Sequence, residues 1–209
     1  ECYHCATSHR AYAKLHTFKD LHEKVAPIVE ALLERSDAVT GVPGMSKHYT
    51  KIYREAEGFG ACVHTMRYGL FEGNVTGSKD GQPVAPLMGN IKDYDGGAGD
   101  YQMGPLTFML NYPDHCVLYR FLPRSLTETD VELVWFVRGD AQEGKDYNRE
   151  DVVWLWDHTT KEDEYIILRN NAGVNSRFFE PGPYHPEFEA TLQKFVDWYL
   201  HNLERVSHV

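Results

Sequence analysis

A chain of 209 residues, 42% hydrophobic and 25% charged, is long enough to close one large core and needs no disulfide staples to fold. Its formal net charge of −10, from 31 acidic against 21 basic residues with no basic run among them, argues against nucleic acid as a partner. No stretch approaches the ~20 consecutive apolar residues of a membrane span, nothing at the start resembles a signal peptide, and four cysteines do not make a secreted disulfide framework, so a reducing cytoplasm is the expected setting.

The chain opens at Glu1, without a methionine, and runs straight into Cys2-Tyr3-His4-Cys5. A start inside such a dense run of ligand-type side chains reads as a piece of a longer polypeptide. The segment from Glu1 to Asp37 is expected to be helical, with Val25, Ile28, Val29 and Leu32 at helical spacing and Leu33 beside them. Pro27 belongs near the first turn of its own helix, or at a break before it. Gly41 to Gly44 reads as a turn, and Lys47 to Glu57 is too polar to assign.

From Gly58 the period changes to two. Ala61, Val63, Met66, Tyr68 and Leu70 predict a strand, with a slip near His64 to Met66. Asp95-Gly-Gly-Ala-Gly-Asp100 is expected to be too glycine-rich for a regular element. Three clearer strands follow, around Leu106–Leu110, Val117–Phe121 and Val131–Val137, separated by turn residues as in an antiparallel meander. Asn148 is placed to cap a helix running to about Asn171, with Gly173 as a left-handed stop. After Pro181-Gly-Pro183 a last helix carries Phe188, Leu192, Phe195, Tyr199 and Leu203 on one stripe. Helix, antiparallel sheet, then helices is an α+β pattern.

Two constellations carry chemistry. The first is Cys2, His4, Cys5 and His9. Its C-x-x-C pair is open to a zinc or thiol-redox reading, although Cys62 and Cys116 form no second pair and no strand precedes the motif. Two incidental histidines beside small buried cysteines are a blander alternative. His4 and His9 are also two imidazoles of the kind that, with one carboxylate, hold non-haem ferrous iron. On a regular helix positions five apart point ~140° apart, so such a site needs a bulge, or a helix end between the two.

The second constellation is Asp163. Val152, Trp156, Thr159, Asp163, Ile166 and Asn170 share one helical face, and that face is largely apolar. Lys161, Glu162 and Glu164 take the flanking, wetter positions. An unpaired ionised carboxylate on such a face costs several kcal/mol, so Asp163 requires a partner: an arginine, a helix cap, or a metal cation with Thr160 and Asn170 bracing the carboxylate from behind.

Glu1-Cys-Tyr-His-Cys-Ala-Thr-Ser-His9 resembles the iron-binding motif of the α subunits of Rieske-type ring-hydroxylating oxygenases. Trp156-Asp-His-Thr-Thr-Lys-Glu-Asp163, Asn170 to Ser176 and Pro181-Gly-Pro-Tyr184 are similar to the family's C-terminal block. The resemblance spans nearly the whole chain. It implies a helix-grip fold, with a curved antiparallel sheet and a long C-terminal helix, and a single catalytic domain over residues 1–209. It implies that His4, His9 and Asp163 bind mononuclear Fe(II), with Asp157 a weaker rival off the shared stripe. Glu1, three residues before His4, matches the family's bridging carboxylate, which links the iron site to the cluster of a neighbouring subunit.

The family's C-x-H and C-x-x-H cluster motifs are absent from these residues, so its Rieske domain and [2Fe-2S] cluster are expected upstream. The resemblance further implies O2 and a small organic substrate, and electrons from NAD(P)H through a reductase or ferredoxin. In full-length form it implies a homotrimer, with neither nucleic acid nor membrane as a partner. Among relatives, those that oxidise small methylated ammonium compounds look nearest, with an aromatic ring substrate as the alternative. A rival of another class is a helix-grip binding module that carries a ligand without chemistry. The remaining histidines, His16, His115 and His158 among them, read as surface or structural.

Overall fold

The computed structural model describes residues 2–16, 27, 30, 31, 34, 35, 63–185 and 189–207. Two short helices open it, α1 (Cys2–Ser8) and α2 (Arg10–Leu15). Five strands follow among the described residues: β1 (Val63–Gly69), β2 (Gly97–Met103), β3 (Thr107–Asn111), β4 (His115–Pro123) and β5 (Thr129–Val137). Then come α3 (Arg149–Val174) and α4 (Ala190–Ser207). The sheet order is β1-β2-β3-β4-β5, antiparallel throughout, so every strand pairs with its neighbours in sequence and the class is α+β. No helix among the described residues is long and apolar enough to cross a membrane.

Alternation along the strands sets the two faces of the sheet. Tyr68, Ala98, Leu110, Val117 and Tyr119 point inward and are almost fully buried, joined by Leu70 and Tyr112 beyond the strand ends. Tyr12 and Leu15 of α2 and Leu155 and Trp156 of α3 complete this core. Helix α3 thus lies against the inner face and carries its first half into the core. Asn148 caps it as expected, its side chain accepting the Glu150 N–H at 3.0 Å, a contribution of about 1 kcal/mol.

Several expectations are corrected. The stretch from Gly97 to Asp100 is a strand after all. Gly97 pairs with Gly69 of β1, and Gly99 sits between two paired neighbours, opposite Arg67 on one side and Asn111 on the other. Sheet context therefore overrides local propensity. A Cβ on Gly99 would stand 2.9 Å from the Tyr101 ring, so the strand uses its glycine to seat that ring. The turn into β2 falls on Gly96, whose φ of +74° suits glycine, and Asp95 closes it by accepting the Gly97 N–H at 2.9 Å.

Helix α3 does not stop at Gly173, which has no positive φ. Asn175 ends it, with its backbone and side-chain N–H groups both reaching Asn171 O. In α4, Phe195, Tyr199 and Leu203 share a stripe, and 44–49% of each is exposed. The apolar face read for Val25 to Leu33, the Gly41–Gly44 turn, Lys47 to Glu57 and Ala61 lie outside the described residues. So do Phe188 and the side chains across the slip near His64 to Met66.

Candidate metal centre

His4 and His9 are brought together by a break in the helix. Helix α1 ends at Ser8 and α2 begins at Arg10, and His9 between them has φ −106° and ψ 72°. The break relieves the ~140° divergence that a regular helix imposes on the pair. Their ring centroids stand 5.0 Å apart, edge to face at 78°. His9 is buried to 1% exposure, whereas the His4 side chain is 40% exposed.

Asp163 arrives from α3, two turns beyond Trp156 on the same stripe. Its Oδ1 lies 3.1 Å from His4 Nε2 and 2.9 Å from His9 Nε2. One carboxylate oxygen therefore faces two imidazole nitrogens at once. Behind His9, its Nδ1 lies 2.9 Å from Glu162 Oε2, and the other oxygen of Glu162 lies 3.3 Å from His158 Nε2. Cys5 Sγ stands 3.9 Å from His4 Nε2, and the ligand-type atoms of His4, Cys5 and His9 all fall within 4.8 Å of one another.

This donor set fits a divalent cation on two grounds. Atoms held side by side on an octahedral ion with bonds of ~2.1 Å stand ~3.0 Å apart, which matches both separations to Asp163. The second ground is the hydrogen-bond polarity. When neutral His9 gives its Nδ1–H to Glu162, its Nε2 keeps a lone pair aimed at a carboxylate oxygen. Two acceptors at 2.9 Å repel, and a cation shared between them turns that repulsion into attraction. The carboxylate behind the imidazole also fixes its tautomer, as is usual for metal-bound histidine.

Sequence reasoning brought His4, His9 and Asp163 to one place and missed Glu162 and His158. The signal that could have found them was the i, i+4 spacing of His158 and Glu162 along the helix edge beside Asp163. Asp157 is not part of the cluster, since it pairs with Lys161 at 2.7 Å. Thr160 and Asn170 do not brace Asp163: the Thr160 hydroxyl pairs with Tyr119 at 2.6 Å, and Asn170 is exposed. Glu1 and the Cys2 side chain lie outside the described residues.

His16 and His115 are buried and hydrogen-bonded away from the cluster. His16 Nδ1 donates to Tyr12 O and its Nε2 meets the Tyr112 hydroxyl at 2.8 Å, while burial lowers its pKa to about 4. His115 Nδ1 donates to Asp114, itself buried and held below the ordinary carboxylate range. Burial alone would raise that group, but His115, Thr76 and the Val84 N–H outweigh it.

The inner face next to the cluster is aromatic. The Tyr12 ring meets Trp156 at 5.3 Å, Tyr119 meets Trp156 at 6.1 Å, and Phe108 stacks on Tyr119 at 4.4 Å. A separate cavity of about 420 Å³, lined by Asn90, Ile91, Tyr101, Met109 and Asn111, opens on the outer face and holds none of the cluster residues.

A family model for the catalytic domain of ring-hydroxylating α subunits matches residues 1–205. The chain is 33% identical over 205 positions to the glycine betaine monooxygenase oxygenase subunit of Chromohalobacter salexigens, covering 95% of this chain and 44% of that protein. It is 33% identical over 216 positions to the protein of the same name from Pseudomonas aeruginosa, covering 100% of this chain and 49% of that one. The chain therefore spans about half the length of these relatives.

Proposed function

The chain belongs to the family of ring-hydroxylating α-subunit catalytic domains, and on that premise we propose that it is the oxygen-activating half of a Rieske-type non-haem iron oxygenase. The observation that carries this reading is the convergence of His4 Nε2 and His9 Nε2 on Asp163 Oδ1, with Glu162 behind His9. We infer that the fold is a helix grip, in which α3 lies along the inner face of the sheet.

His4, His9 and Asp163 would hold the ion as two neutral imidazoles and one carboxylate, a set that suits Fe(II) and leaves positions open. Ferrous iron so held supplies dioxygen activation. The protein's own work is to orient and to exclude. Glu162 holds His9 in the tautomer that keeps Nε2 available. Tyr12, Tyr68, Tyr119 and Trp156 wall the inner face against water, so that a bound substrate presents its C–H bond in a dry setting.

The relatives are named for glycine betaine, trimethylammonioacetate. We take a small methylated ammonium compound as substrate: one atom of O2 would hydroxylate a methyl carbon and the other would leave as water, with two electrons from NAD(P)H, after which the hydroxymethyl group would depart as formaldehyde. Each aromatic face would contribute about 0.5–2 kcal/mol to holding such a cation. Glu1, three residues before His4, would accept a hydrogen bond from a metal-bound imidazole and link this site to the [2Fe-2S] cluster of a Rieske domain. That cluster would be supplied from NAD(P)H through a reductase or ferredoxin, and the full-length protein would assemble as a homotrimer.

Metal analysis of the anaerobically purified full-length protein tests this reading. Mononuclear iron that is lost in Asp163→Ala, while the Rieske cluster's iron persists, is the expected result. Stoichiometric zinc retained on Cys5 and the two histidines would favour the thiol reading instead, for which the 3.9 Å approach of Cys5 to His4 is the supporting observation.

A further inference from the structure

Asp100 belongs to β2, paired with Met66 on β1 and with Leu110 on β3. Leu110 is 4% exposed and Ala98, two residues back, is 1% exposed. Period-two alternation therefore places the Asp100 side chain on the inner, core-facing side of the sheet. An acid there is out of pattern. It accepts no hydrogen bond and joins no ion pair among the described residues, and burial pushes its carboxyl up to about 6.

Its surroundings tie it to the metal centre. Burial is the main reason the Tyr12 and Tyr68 hydroxyls are shifted upward, and both also feel the charge of Asp100 and of Cys5. The two hydroxyls lie 3.5 Å apart. Tyr12 stands three residues past His9, and Cys5 is the neighbour of His4. Asp100 and Cys5, the neighbour of His4, thus both act on one tyrosine pair. Unlike Asp114, which draws on His115, Thr76 and a backbone N–H, Asp100 has nothing among the described residues to hold its charge.

We propose that Asp100 is the counter-charge that holds the cationic head of the substrate against the tyrosine wall beside the metal centre. This rests on the ammonium reading of the function. The chemistry favours that particular ligand class. A quaternary ammonium donates no N–H bond, so it is recognised by charge and by aromatic faces rather than by a fixed set of acceptors. A desolvated carboxylate flanked by tyrosines supplies both. A carboxylate left unpaired in such a place disfavours the fold, and a guest cation relieves it on binding.

The test compares trimethylammonioacetate with 3,3-dimethylbutanoate, in which carbon replaces the nitrogen, by calorimetry on the iron-loaded full-length protein. The wild type is expected to prefer the ammonium compound by about tenfold or more. Asp100→Asn should abolish that preference, weakening the ammonium compound about tenfold and leaving the carbon analogue within about twofold. Iron content should be unchanged, because Asp100 is not a ligand. Asp100→Glu, which keeps the charge, should retain most of the preference, and this rescue separates a charge effect from a packing one. A preference that survives in Asp100→Asn overturns the assignment while leaving the ammonium reading intact. A wild type that binds neither compound, or both equally, overturns the ammonium reading and this proposal with it.

Discussion

Glu162 Oε2 lies 2.9 Å from His9 Nδ1, on the far side of the ring from Asp163. Adjacent residues on one helix thus grip the two nitrogens of a single buried imidazole. That arrangement fixes both the rotation and the tautomer of His9 before any ligand arrives, and it makes the His9 ring the best-determined part of the site.

Replacing Glu162 by Gln keeps the shape and removes the charge behind His9. Metal affinity is expected to fall about 10- to 100-fold, the usual scale for such an outer partner. A competition titration with a chelator measures it. An affinity equal to that of the wild type would show that Glu162 is only a surface partner of His158.

His4 and His9 should separate on stability though not on iron. Either Ala variant is expected to lose the mononuclear metal. His9 is buried, so His9→Ala also leaves a cavity and removes the partner of Glu162 Oε2, at a cost of about 1–3 kcal/mol. His4 is 40% exposed, and His4→Ala should stay within about 1 kcal/mol of wild type. Urea denaturation of the metal-free proteins reads the difference. Equal losses would mean that the two rings are equally embedded.

Much of this site was legible because two geometric conflicts were visible in the sequence. His4 and His9 cannot meet on an unbroken helix, and the break falls between Ser8 and Arg10. Asp163 occupies a position where the stripe from Val152 to Thr159 calls for a core residue, and it finds histidines there. Glu162 was illegible for the opposite reason, since a wheel places it on the wet flank and only the approach of α1 and α2 brings His9 to it. Strand β2 was hidden because glycine carries no pattern, and its pairing with β1 and β3 is a property of the sheet. The end of α3 was misplaced because Asn175, not Gly173, satisfies the last carbonyls.

Glu1→Gln in the full-length protein tests the electron route proposed for the residue three before His4. The amide keeps the size and loses the negative charge that would accept a hydrogen bond from a metal-bound imidazole. Iron content and substrate binding are expected to be normal, with slower oxidation of a pre-reduced cluster in a single turnover. An unchanged rate removes the bridging role.

The pH dependence of stability isolates Asp100, because burial acts on it and on His16 with opposite sign. The folded pKa of Asp100 is raised from 3.8 to about 6, so its contribution is fully present below pH 3.8 and is lost as pH rises through 6. That of His16 is lowered from 6.5 to about 4, so its contribution is full above pH 6.5 and is lost as pH falls toward 4. A tenfold change in proton affinity on folding corresponds to about 1.4 kcal/mol. The two effects largely offset one another between pH 4 and 6.5. Removing one partner should therefore expose the other.

Asp100→Asn is expected to be more stable than wild type at pH 8, by about 1–2 kcal/mol once solvent screening is allowed for, with the gain vanishing near pH 4. His16→Gln should leave a protein whose stability, relative to wild type, improves as pH falls from 6.5 to 4. Thermal melts of the three proteins across about pH 4–8, compared as differences, measure both. Among the described residues, the titratable groups that feel Asp100 are the hydroxyls of Tyr12 and Tyr68, neither of them cationic. An Asp100→Asn variant no more stable than wild type at about pH 8 would mean that the carboxylate is already solvated or paired. It would then have no reason to await a cation.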